Sequence, residues 1–173
     1  MDLQAQARPG ADADRQAIAI RRAVAEDAAA MYAVHRASVL ALCAPAYSPA
    51  HIATWFEDRT SAMYAPAMAA GRIWLAERGG RVLGFVGAVP GEVTLLFVDP
   101  AAAGQGLGRR LLAHGMALAS AAAEGPLTVV STLNAVPFYA ANGFVAVEDG
   151  HFVRGVAGLH YDVVRMQRRS PPA

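Results

Sequence analysis

The stretch Val98-Asp99-Pro100-Ala101-Ala102-Ala103-Gly104-Gln105-Gly106-Leu107-Gly108-Arg109-Arg110 decides how the chain reads. Upstream of it, Glu92 to Val98 has the apolar character of a strand; downstream, Leu107 to Ala123 repeats apolar residues at helical spacing. Three glycines at alternate positions between strand and helix let the backbone pass close to a ligand and turn its N–H groups toward one point. The helix behind them adds unpaired donors and a partial positive charge. A pyrophosphate fits that arrangement, although glycines that merely end a strand and open a helix give the same spacing. A dinucleotide-binding G-x-G-x-x-G loop is excluded, because Arg109 stands where its third glycine belongs and the preceding strands read as antiparallel.

Working outward, Ile18 to Arg22 alternates as a strand. Met31, Val34, Val39 and Leu42 set a helix from about Glu26 to Cys43, with Glu26 and Asp27 placing negative charge at its start. Ala44 to Tyr47 breaks it. Ser48-Pro49 then restarts the chain, Ser at the N-cap and Pro at the first helical position, for a second helix to about Arg59. Ser61 to Ala70 is a third helical patch, with Pro66 in its interior. Ile73 to Glu77, a Gly79-Gly80 turn and Val82 to Val89 read as a hairpin, and Pro90-Gly91 leads into Glu92 to Val98. Three consecutive strands therefore form an antiparallel meander. Beyond the long helix, Leu127 to Ser131 reads as a buried strand, Ala135 to Ala141 as a short helix, and Phe144 to Val153 and His160 to Met166 as closing strands. The reading is an α/β (α+β) fold with a mixed, mostly antiparallel sheet of about seven strands flanked by helices. It forms one domain over residues 17–167, between a loose tail 1–16 and a short polar tail 168–173.

Composition narrows the chemistry. The chain has 173 residues, enough for one domain of ordinary size. Forty are Ala, so a high apolar fraction reflects a small side chain rather than membrane affinity, and no apolar run reaches the roughly 20 residues of a bilayer span. The first sixteen residues lack the apolar run of a signal peptide, which points to the cytoplasm. All 15 basic residues are Arg, and without Lys neither a Walker-type phosphate loop nor a pyridoxal Schiff base can be built. One Cys, Cys43, and five His show no zinc spacing, so no metal is expected. A net charge of +1 carries no basic stripe for nucleic acid. The expected partner is a small molecule.

In this context the chain resembles the GNAT superfamily of N-acetyltransferases over about residues 17–167. Leu96-Phe97-Val98-Asp99-Pro100, Gly104 to Gly108 and Arg109-Arg110-Leu111-Leu112 are similar to that family's acetyl-CoA loop and following helix. Asn134 with Ala135-Val136-Pro137-Phe138-Tyr139 and Asn142-Gly143-Phe144 is similar to its second motif. The resemblance implies direct attack of an amine on acetyl-CoA in a ternary complex, without metal. It further implies a cofactor site of Leu96, Phe97, Val98, Ala103, Gly104, Gln105, Gly106, Leu107, Gly108, Arg109 and Asn134. A backbone N–H at about Leu96 or Phe97 would meet the developing oxyanion, and Val98 would pair with the pantetheine arm. Ala103 departs from the family pattern, which usually has Arg or Gln there, so Arg109 or Arg110 is left to supply charge.

Three further roles follow from the same resemblance. Tyr139 takes the general-acid position beside the departing thiolate. Glu92 takes the position of a base, with His35 and water as alternatives. Asn134 reads either as the N-cap of its helix or as a contact to the cofactor. His35 to Trp55 resembles a bacterial subgroup described as YafP-like, of poorly defined substrate, and His35, Tyr47 and Trp55 are candidates to line the acceptor, with Arg154 a candidate for an acceptor carboxylate. The expected reaction is acetylation of a primary amine on a small molecule. A non-catalytic acyl-CoA-binding regulatory module and a protein or peptide N-acetyltransferase are the alternatives, and a homodimer is left open.

Overall fold

The strands are β1 (Ala19–Arg22), β2 (Ile73–Arg78), β3 (Arg81–Val89), β4 (Glu92–Val98), β5 (Leu127–Thr132), β6 (Val145–Arg154) and β7 (Leu159–Arg168). They make a single sheet in the order β1-β2-β3-β4-β5-β7-β6. The computed structural model describes residues 17–156 and 158–169. The expected tail 1–16 lies outside the described residues, and Arg168, expected in the C-terminal tail, still belongs to β7. Every neighbouring pair is antiparallel except β4 with β5. The mixed, mostly antiparallel sheet read from the sequence is the one observed.

The helices are α1 (Ala28–Ser38), α2 (Pro49–Thr54), α3 (Ala65–Ala69), α4 (Leu107–Ala121) and α5 (Val136–Ala141). Ser48 caps α2, its hydroxyl accepting from His51 N–H at 3.4 Å, with Pro49 at the first helical position. Asp27 ends a short 3-10 turn before α1; its carboxylate accepts from Val24 N–H at 2.8 Å and pairs with Arg21 at 2.7 Å. The expected continuous helix to Cys43 is corrected: α1 stops at Ser38 and Val39–Cys43 is a π-helical turn. That wide turn buries Val39 and Cys43 together in one cluster with Tyr47, Trp55 and Tyr161. The second helix also ends earlier than expected, at Thr54 rather than near Arg59.

Apolar residues cover both faces of the sheet. On one face α4 lays Leu107, Leu111 and Leu112 against Val86, Val93, Val129 and Met166, with Tyr139 and Phe144 at the edge. Each such fully buried Leu contributes roughly 1.5–3 kcal/mol. At Gly115 a Cβ would lie 2.6 Å from Val86 Cγ2, so α4 crosses the sheet too closely for a side chain there. On the other face α1 sets Met31 and Val34 against Ile73, Leu75 and Phe85, with Tyr64 between. Phe97 touches both clusters on that face. Among the described residues no helix is long and apolar enough to cross a membrane.

Candidate active site

The parallel ladder between β4 and β5 is two residues long, Glu92 with Thr128 and Val93 with Val129, and then the strands part. Two hydrogen bonds show which backbone groups face the gap. Thr128 N–H donates to Gly91 O at 2.9 Å, so the odd-numbered groups at the start of β4 address β5; Asp99 N–H donates to Leu83 O at 2.8 Å, so the odd-numbered groups at its end address β3. The parity changes because Thr94 is the extra residue of a β-bulge: Gly87 pairs with Leu95 and Ala88 with Val93. Alternation then turns the N–H and C=O of Leu96 and Val98 into the gap. Phe97 is corrected as a backbone contact, because it pairs with Phe85 and sends its amide toward β3 while its ring joins the α1 face.

The glycine loop closes the mouth of this gap. Asp99 holds it: one carboxylate oxygen accepts from Ala101 N–H at 2.9 Å and the other pairs with Arg81 at 2.6 Å. The Ala101 N–H, with Arg81 beside it, keeps the Asp99 carboxyl below the usual carboxylate range. Gly104 and Gly106 adopt φ of +75° and +80°, and a Cβ at either would meet no atom within 4 Å, so the space before them is open for a ligand. Arg110 N–H is the first to close a turn of α4, donating to Gly106 O at 3.1 Å, and the N–H groups of Leu107, Gly108 and Arg109 precede it at the helix start. This cradle fits a diphosphate. Gln105 folds back to Ala101 O at 3.2 Å, and Arg110 reaches Ile18 O at 3.2 Å, which leaves Arg109, exposed on the first turn, as a cation beside the cradle with no partner among the described residues; Ala103 is exposed and brings no charge.

Across the gap, Tyr139 lies on α5, buried, with its ring edge-on to Phe138 and Phe144 at 5.2 and 5.6 Å. Its hydroxyl makes no hydrogen bond among the described residues. Burial pushes the phenol up, so it keeps its proton at neutral pH. Asn134 is not the cap of its helix: Thr132 is the N-cap of a 3-10 turn Leu133–Ala135, and α5 starts after it. Asn134 Oδ1 is instead buried without a partner, a polar atom waiting for a donor. Beside it, burial pushes the Cys43 thiol up to about 11. Glu92 lies half-buried at the closed end of the gap, two residues before the bulge.

His35 lies on the α1 face, stacked on Phe97 at 3.7 Å and edge-on to Phe56 at 4.9 Å. Its Nδ1 is 2.8 Å from the Tyr64 hydroxyl, and its Nε2 is buried with no partner. Burial first, then the charges of Arg59 and Arg154, hold its pKa to about 3, so the ring is neutral. Tyr47 and Trp55 are packed in the core rather than on an open wall. The Tyr47 hydroxyl donates to Asp162 O at 2.6 Å and accepts from Leu133 N–H at 3.1 Å, and Trp55 is 3% exposed against Tyr47, Phe152 and Tyr161. Sequence reasoning missed the Thr94 bulge and gave Arg59 no role. It also gave the Asp99 anchor no role, although Asp before Pro at a strand end is a turn-forming pair that could have signalled it.

A strand pair that parts beside a glycine loop, backed by a buried tyrosine with a free hydroxyl, defines an acyl-CoA-dependent transferase architecture. The family profile described as the acetyltransferase (GNAT) domain matches residues 43–165, and the chain belongs to that family. An N-acetyltransferase of Escherichia coli K12 called YafP, itself uncharacterised, is 28% identical over 102 residues, 59% of this chain; the chain spans 64% of that relative's length. A GCN5-related N-acetyltransferase structure from Rhodopseudomonas palustris superposes with a TM-score of 0.75 at 27% identity, covering 88% of this chain and 95% of that one. YncA of Salmonella typhimurium, solved with acetyl-CoA, gives 0.64 at 24% identity over 91% and 96%.

Proposed function

We propose that the chain transfers the acetyl group of acetyl-CoA to a primary amine of a small molecule, by direct attack within a ternary complex. The observation that carries this reading is the gap between β4 and β5, where the Leu96 and Val98 backbone groups face open space next to a glycine cradle with room for a diphosphate. Gly104, Gly106 and the first N–H groups of α4 hold the diphosphate, with Arg109 adding charge. Val98 pairs with the pantetheine amides as a neighbouring strand would, and Asn134 Oδ1 accepts a hydrogen bond from the same arm. Acetyl-CoA supplies an activated acyl group; the chain supplies geometry and protons.

Leu96 N–H faces the place where the carbonyl oxygen gains charge and stabilises it there. Glu92, at the closed end of the gap, takes the proton of the incoming amine directly or through water. The N–C bond forms, the C–S bond breaks, and the Tyr139 hydroxyl protonates the departing thiolate. His35 is a poor base, since burial and its two cationic neighbours hold it neutral; its place is against the acceptor. A catalytic role explains an unpartnered Tyr139 hydroxyl better than a purely acyl-CoA-binding module does, whereas the Asn134 oxygen serves either. A cytoplasmic setting suits this co-substrate.

Release of free CoA thiol from acetyl-CoA across a panel of small amines tests the reading. Release that depends on an amine is expected; acetyl-CoA binding without release on any small amine, with activity on peptide amines or with none, would replace it by one of the two alternatives.

A further inference from the structure

The face of the sheet that carries His35 also holds two cations that form no ion pair among the described residues. Arg59 follows α2 and Arg154 ends β6; both are half-buried, and neither side chain forms an ion pair or a hydrogen bond among the described residues. Their placement is built. The Tyr32 hydroxyl donates to the Arg59 carbonyl at 3.0 Å, and its ring meets Phe56 edge-on at 5.4 Å. Glu57 accepts from Val156 N–H at 3.0 Å and so straps the turn after β6 to the segment after α2. At Gly155, φ is +71° and a Cβ would lie 2.7 Å from Glu57 Oε2, so that strap closes only over glycine.

The orientation of Arg154 is fixed as well. Its Cζ lies 4.7 Å over the Phe152 ring, which in turn stacks on Tyr161 at 5.0 Å. A guanidinium over a ring keeps its N–H donors for a ligand, and of these Arg154 Nε is buried with no acceptor. His35 Nε2 is the second buried orphan of this face. In the tautomer whose Nδ1 accepts from the Tyr64 hydroxyl, Nε2 carries the hydrogen and is a third donor, and this is the tautomer an anion on this face would select. The three groups share one neighbourhood: the fields of Arg59 and Arg154 both reach His35, and that of Arg154 reaches Arg59. Glu57 is committed to the strap, and Asp58, whose field reaches Arg59, is exposed and forms no ion pair with it. What this arrangement lacks is a planar anion with two acceptor oxygens, which a guanidinium edge binds through two parallel hydrogen bonds.

Resting on the reading of this face as the acceptor side, we propose that Arg59, Arg154 and His35 bind the carboxylate of the acceptor, so that the amine acetylated by this chain is carried by an amino acid or a similar amino carboxylate. The aromatic rings of Phe56, Phe97 and Phe152 around these donors exclude water and fix the direction from which the amine enters.

The test compares glycine, L-serine and L-phenylalanine with their carboxamides, and adds O-phosphoethanolamine as a phosphate-bearing amine, following thiol release from acetyl-CoA. For the best of the three acids kcat/KM exceeds that of its carboxamide by about 10- to 100-fold, the range of a hydrogen-bonded charge. R59Q and R154Q each shrink that ratio, chiefly through KM for the acid, and R154K, which keeps the charge and loses the fork, restores only part of it. A carboxamide as good as its acid, a preference for O-phosphoethanolamine, or a ratio untouched by both variants would overturn the proposal. Should the variants fail to fold, the wild-type chain without acetyl-CoA decides. Its Arg59 and Arg154 Nε–Hε resonances shift with at least one of the three amino acids and not with the carboxamides. Such shifts without thiol release on any amine would keep the anion site and overturn acetyl transfer; no shift with any of the three overturns the site.

Discussion

The proposed cofactor site and the proposed acceptor site are built from different materials. From Val98 to Arg110 the groups offered to a ligand are backbone amides, contiguous in sequence and aimed by two left-handed glycines and a helix start. On the α1 face they are side chains of α1, of the segment after α2 and of the end of β6, at positions 35, 59 and 154, joined only by the fold. A backbone cradle depends on φ and on free space, and it tolerates the exchange of exposed side chains; Ala103 in place of Arg or Gln is such an exchange. A side-chain site changes with any one of its members. By this argument the proposed cofactor side tolerates exchanges that the proposed acceptor side would not.

The largest test of this contrast lies at Tyr139, where a single unpartnered hydroxyl is proposed to carry chemistry. Tyr139→Phe keeps the ring's packing and is expected to lower kcat by about 10²- to 10⁴-fold with acetyl-CoA affinity unchanged. Wild-type turnover would hand that proton to water. Next comes the cradle. Gly106→Val forces a β-branched residue into φ +80°, a strain of about 1–3 kcal/mol, and fills the space in front of the loop, so calorimetry should show acetyl-CoA binding weakened by about tenfold or more. Unchanged affinity would remove the backbone from the argument.

On the acceptor side the sharper probe is proton linkage. His35 has a folded pKa of about 3, below its ordinary 6.5, so between those values the unfolded chain binds the extra proton. Stability is then complete above pH 6.5 and falls as the pH drops toward 3, by at most about 1.4 kcal/mol per pH unit. His35→Gln should flatten that slope in urea titrations; an unaltered slope would mean that the ring is not buried as a neutral group. Tyr47→Phe should cost about 1–3 kcal/mol, because Leu133 N–H loses its buried acceptor. An equal loss of acceptor affinity without loss of stability would return Tyr47 to the substrate wall. Smallest of all, Ala103→Arg should leave acetyl-CoA affinity unchanged or slightly better, and a marked loss would mean that the cradle needs the open side it has.

The same division explains what the sequence could tell. The strand, glycine loop and long helix were legible because each is a local pattern with its own physical cause, and the Gly79-Gly80 hairpin was legible for the same reason. The Thr94 bulge was not: Thr94-Leu95-Leu96-Phe97-Val98 has no alternation to reveal a change of face, and the bulge shows only when β3 is laid beside it. The π turn at Val39–Cys43 keeps the apolar spacing of an ordinary helix. Asn134 ahead of Ala-Val-Pro looks like a cap until the 3-10 turn gives that place to Thr132. Tyr47 and Trp55 read equally as wall or core, since an aromatic side chain serves both, and Arg59 carries no local mark at all.

The two-residue ladder between β4 and β5 also has a mechanical meaning. Among the described residues it is the whole of the strand pairing that joins β1–β4 to β5–β7–β6, and the core under α4 spans that seam. In the proposed complex an extended arm along Leu96 and Val98 would add rungs where the protein has none, a splint across the seam. Amide exchange at Leu96, at Val98 and in β5 should slow when acetyl-CoA arrives, while β2, β3 and β7, already paired on both edges, keep their own pace.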